Sequence, residues 1–116
     1  MDIIFHVDEL DRFGTCLGNV YNTLKYFDAH GLSGQIEIVV NAQAVRGLTT
    51  AGAKDQGFAE ELQGYMQEGV AVLACQNALT GQDIDPDQLL PGVQVVEAAI
   101  IEMAQKQAAG YAYIRP

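Results

Sequence analysis

Short apolar runs alternate along this chain with longer stretches of helical period. Ile3-Ile4-Phe5-His6-Val7 reads as a buried strand ending at Asp8. Phe13, Leu17, Val20, Tyr21, Leu24 and Phe27 then recur at helical spacing, with the Asp11 carboxylate placed to cap the first turn and Gly31 and Gly34 closing the segment. Residues 36–40 form a second strand, followed by Asn41 and a short helix predicted over 42–48. The small, polar stretch 49–57 predicts a loop, and 58–67 a helix with Glu and Gln on its wet side. Gly69 turns the chain into the most strongly apolar strand, Val70 to Ala74, and a helix is predicted to start at Gln76. Asp85-Pro86 matches a cap followed by proline at the first helical position, and Pro91-Gly92 a turn. A strand over 93–95 leads into a helix over 96–108 with an apolar face of Val96, Ala99, Ile100, Met103 and Ala104. Gly110 stops that helix, and 111–114 is the last strand.

Strand alternating with helix implies a parallel sheet covered on both faces. Right-handed crossovers then give a three-layer α/β/α sandwich with a mainly parallel five-stranded sheet. At 116 residues the chain has room for a single domain over 1–116. In such sheets the ligand site lies beyond the carboxyl ends of the strands. The residues expected there are Asp8, Asn41, Cys75, the positions after Val95, and Arg115.

Composition narrows the function classes. Apolar residues make up 49% of the chain, as in a folded globular domain. Fifteen acidic and six basic side chains give a net charge of −9, which argues against nucleic-acid phosphates and anionic membrane surfaces as partners. The longest apolar run, Val70 to Cys75, falls far short of the roughly 20 residues that cross a bilayer. No basic segment precedes the first strand and no cleavage site follows it, so a signal peptide is not expected and the cytoplasm is the expected compartment. The two cysteines and two histidines, at 6, 16, 30 and 75, lack paired metal-ligand spacing, and neither a metal nor a structural disulfide is expected. No cofactor is expected either. There is no GxGxxG or GxSxG, and Gly47 to Lys54 departs from a phosphate loop in length, in the residue after the lysine, and in lacking a strand before it.

Cys75 is the candidate for chemistry. It ends a buried strand and precedes a helix start, where backbone N–H groups carry partial positive charge and favour the nucleophilic thiolate. Position alone equally allows a small buried apolar residue. Arg115 is the natural cation for a thiolate at this edge, or else a solvated terminal arginine. Asn41 can hydrogen-bond a sulfur or cap the helix that follows, and a nearby Asp8 or Glu9 would oppose a thiolate. Cys16 and His6 read as core residues, and His30 as a helix-end residue. The uncharged stripe Thr15, Asn19, Asn22 and Tyr26, together with an outward Ile101, points to a subunit interface.

Several segments in order resemble the DsrE/DsrF-like family. They are Ile4-Phe5-His6-Val7-Asp8-Glu9, Leu17-Gly18-Asn19-Val20-Tyr21-Asn22, Ile38-Val39-Val40-Asn41, Val72-Leu73-Ala74-Cys75-Gln76-Asn77-Ala78-Leu79, Leu90-Pro91-Gly92-Val93 and Gly110-Tyr111-Ala112-Tyr113-Ile114-Arg115-Pro116. The similarity spans nearly the whole chain and is closest to the homomeric, YchN-like branch. It implies a five-stranded α/β/α sheet, assembly as a homotrimer or homohexamer, and sulfur transfer through a persulfide on the cysteine that matches Cys75; the candidate neighbours of that site, from their place in the chain, are Asn41, Arg115, Asp8 and Asn77. The implied partners are sulfur donor and acceptor proteins. The alternative is a non-catalytic homo-oligomeric binding module in which Cys75 is a packing residue. A flavin or nucleotide binder is a third reading, and it lacks a phosphate loop.

Overall fold

Side chains alternate across a strand, so each strand here divides its residues between two faces of the sheet. In the computed structural model, which describes residues 1–116, five parallel strands stand in the order β4-β3-β2-β1-β5. They are β1 (Ile3–Val7), β2 (Ile36–Val40), β3 (Ala71–Cys75), β4 (Gln94–Val96) and β5 (Ala112–Ile114). On one face Ile3, Phe5, Val7, Ile36, Ile38, Val40, Val72 and Ala74 join the main core. That core also takes the inner sides of α1 (Phe13–His30), α2 (Thr50–Gln56), α3 (Ala59–Gln67) and α4 (Gln76–Gly81). On the other face Ile4, Val39, Leu73 and Cys75 pack mainly against α5 (Ala99–Ala108), through Ala99 and Met103, with Ala78, Val96 and Tyr111 at the margin.

This asymmetry follows from handedness. The chain steps β1, β2, β3, β4 in one direction across the sheet, so right-handed crossovers keep α1 to α4 on one side. The step from β4 back to β5, on the far side of β1, reverses direction and carries α5 to the opposite face. The result is the three-layer α/β/α sandwich expected from the sequence, with α5 alone as its third layer. No helix is long and apolar enough to cross a membrane.

Local departures from expectation have local causes. Residues 49–57 are not a loop but α2: the Thr49 hydroxyl accepts the Gly52 N–H, and Gly57 closes the helix with a left-handed φ of 80°. Asp11 does not cap α1. It sits inside a three-ten turn, Leu10–Arg12, that leads straight into the helix. Residues 42–48 are helical but three-ten throughout. The last helix begins three residues later than its apolar pattern suggests, because Val96 belongs to β4. Of the expected apolar face only Ala99 and Met103 are buried: Ile100 points outward, 69% exposed, beside Ile101 at 53%, and Ala104 is exposed as well.

Candidate functional site

The reversal of chain direction creates a crevice. β3 exits into α4 on one face, and β4 exits into α5 on the other, so the carboxyl ends of these adjacent strands form a topological switch point. Cys75 is the last residue of β3, in register with Val96 at the end of β4. It also stands at the cap position of α4. Its Sγ accepts the N–H of Ala99, the first residue of α5, at 3.4 Å. The helix expected to face this thiol was the one directly after it. The N–H that reaches the sulfur comes instead from α5, 24 residues on. The first-turn N–H groups of an α-helix are unpaired within it and complement negative charge. Cys75 belongs to a small apolar cluster whose other buried members are Ile4, Val39, Leu73, Ala99 and Met103.

Asn77 lies in the first turn of α4 and lines a hollow of about 490 Å³ with Val96, Glu97, Ala98 and Ile101. The hollow lies at the same end of β3 and β4 as Cys75, which does not itself line it. Asn41 follows Val40, which pairs with Ala74, so it stands one register step along, beside Cys75 on the neighbouring strand. It caps nothing with its side chain.

Arg115 and Asp8 go elsewhere. The Arg115 guanidinium holds both Asp8 carboxylate oxygens at 3.0 Å, across the ends of β5 and β1. β5 is three strands from β3, roughly 14 Å at the usual strand spacing. Within one protomer, Arg115 therefore neutralises Asp8 rather than a thiolate on Cys75.

Two residues not singled out for the site stand near Asn41. His6, buried on the α5 face of β1, meets Asn41 Oδ1 through Nε2 at 2.9 Å and the Tyr113 hydroxyl through Nδ1 at 2.5 Å. His6 is thus a satisfied core histidine, as its place in an apolar strand suggested. What the sequence did not disclose is that its partners are Asn41 and a tyrosine 107 positions away. The only available signal was parity: on neighbouring strands all three share one sheet face. Cys16 is wholly buried in the main core, where desolvation pushes its pKa up to about 12 and keeps it a thiol at neutral pH. No group of three His, Cys, Asp or Glu side chains is arranged to hold a metal ion.

Comparison with known proteins agrees with this architecture. The DsrE/DsrF-like family model matches residues 18–116. A protein of unknown function from Methanobacterium thermoautotrophicum has a solved structure that superposes with a TM-score of 0.86. The two share 30% sequence identity over 99% of this chain and 98% of the other. No curated protein matches the chain.

Proposed function

This chain belongs to the DsrE/DsrF-like family, and on that premise we propose that it carries sulfur as a persulfide on Cys75, between a donor protein and an acceptor protein. The observation that supports this most is the thiol in the switch-point crevice, its Sγ facing the first N–H of α5. In the loading step the Cys75 thiolate attacks the outer sulfur of a donor persulfide. A Cys75 S–S bond forms, the donor S–S bond breaks, and its electron pair leaves with the donor as a thiolate. Unloading is the same exchange with an acceptor thiolate as nucleophile and Cys75 as leaving group. Neither step needs an outside oxidant or a metal. The acidic chain, at −9, suits partners with basic surfaces.

Intact mass after incubation with glutathione persulfide tests the proposal. The expected outcome is gain of one sulfur atom by the wild type and none by Cys75→Ser. A folded wild type that gains no sulfur rejects it.

Burial of Cys75, only 6% exposed within an apolar cluster, favours a second reading: a non-catalytic homo-oligomeric binding module with Cys75 as packing. Alkylation separates the two. A carrier thiol reacts in the native protein, whereas a packing thiol reacts only after unfolding.

A further inference from the structure

We propose that Asn41 binds the outer sulfur of the Cys75 persulfide, and that His6 and Tyr113 are positioning residues that lock the Asn41 amide for this task. The inference rests on the carrier reading and deepens it. An amide oxygen carries no proton, so the contact between His6 Nε2 and Asn41 Oδ1 requires the proton on Nε2. In the neutral ring Nδ1 is then an acceptor, and the Tyr113 hydroxyl donates a hydrogen bond to it. The chain of bonds runs from β5 through β1 to β2, along the sheet face that holds Cys75. Its consequence is directional. With Oδ1 tied to His6, the Asn41 NH₂ group points away from His6, and no protein acceptor takes its protons. Asn41 is half-buried, so this donor pair is left for solvent or a ligand.

The backbone supports the same placement. The Asn41 N–H donates to Val7 O at 3.1 Å, which prolongs the ladder one residue past β2. Ala42 then turns away with φ of 50°, a left-handed conformation that a non-glycine residue adopts at some strain. The turn leaves Asn41 at the rim of the sheet rather than inside a continuing strand. Asn41 makes no hydrogen bond to Cys75 Sγ, whose donor is the Ala99 N–H. A persulfide reaches about 2 Å further than a thiol, the length of an S–S bond. An outer sulfur turned toward β2 would meet the donor that Asn41 holds beside Cys75 on the adjacent strand. The free thiol and the persulfide thus have different partners: Ala99 N–H for the inner sulfur, Asn41 for the outer.

The test is the sulfur-exchange equilibrium between Cys75 and glutathione persulfide in the full chain, read by intact mass at fixed ratios of persulfide to glutathione. Asn41→Ala is expected to shift the equilibrium about tenfold toward unloaded thiol, the worth of one hydrogen bond to a charged sulfur. His6→Phe is expected to shift it in the same direction, and His6→Gln, whose amide N–H can replace Nε2–H, to restore most of the loss. The alkylation rate of unloaded Cys75 should stay at the wild-type value in all three, which a general loosening of the fold would not allow. A wild type that takes up no sulfur overturns the carrier reading and this inference with it. A wild type that loads, with an equilibrium that Asn41→Ala leaves unchanged, overturns this inference alone. Should His6→Phe fail to fold, Tyr113→Phe, which removes only the hydroxyl, reads the same lock, and no shift there overturns the positioning role.

Discussion

Glu37 lies on β2 beneath α5 with one carboxylate oxygen buried and unpartnered. Lys106 Nζ stands 3.8 Å from its other oxygen and 3.5 Å from Glu102. Burial first, and then the proton shared with Glu102, push the Glu37 pKa up from 4.5 to about 7, while Lys106 pulls against them. Between those values the folded protein holds a proton that the unfolded chain has released. The resulting stability is complete below about 4.5 and is lost as pH rises through about 7. Lys106 and solvent at the edge of the cluster screen the effect, so about 1–2 kcal/mol is expected rather than the full conversion of the shift. Urea unfolding at pH 5 and pH 8 checks this: the wild type should lose more stability than Glu37→Gln over that interval, and equal losses would reject the assignment. At this scale the sequence disclosed which side chains face inward, through strand parity, but not what they meet. The apolar setting of His6 was legible. Its bonds to positions 41 and 113, and the capture of Arg115 by Asp8, were not, because pairing depends on which strands become neighbours.

α2 shows what element-scale patterns can and cannot report. Thr50-Ala51-Gly52-Ala53 has no apolar period, since only Ala53 is buried, so the helix is invisible to hydrophobic spacing. Its punctuation is explicit instead. Thr49 Oγ1 accepts the Gly52 N–H at 2.9 Å and donates to the Arg46 carbonyl at 2.9 Å, joining the preceding three-ten segment to the helix. Thr49→Ala should destabilise the fold by about 1 kcal/mol, while Thr49→Ser, which keeps the hydroxyl, should lie within a few tenths of wild type. Urea midpoints decide, and an alanine variant as stable as wild type would show the cap to be idle. The glycine is fixed by close approach: a Cβ at Gly52 would come within 1.9 Å of the Arg46 carbonyl oxygen. The strands were far more legible than α2, because a buried strand in a parallel sheet is a bare apolar run. The start of α5 was blurred for the same reason, with Val96 completing β4 before the helix begins at Ala99.

For the whole molecule, the decisive feature is that one crossover runs against the other three. Alternation of elements made the parallel sandwich legible, yet no residue pattern announced that β5 would return beside β1. That return sends α5 across the sheet, brings its first N–H to Cys75, and leaves one helix to cover an entire face. Its outward side is unusually apolar for a surface, with Ile100 69% and Ile101 53% exposed, and the adjoining edge strand β4 adds Val95. Burying an isoleucine side chain stabilises an assembly by about 1.5–3 kcal/mol, and several copies around a symmetry axis multiply the effect. We therefore propose that α5 lies in a subunit contact of the homotrimer or homohexamer that the family resemblance implies. Light scattering should give the wild type three or six times the protomer mass. Ile100→Glu combined with Ile101→Glu should lower that mass toward one protomer, because it places carboxylates against a chain already at −9. A monomeric wild type would remove the assembly altogether. A trimer or hexamer that survives the double substitution would move the contact away from α5, to the groove that Asn19, Asn22 and Tyr26 of α1 form with Ile114 of β5.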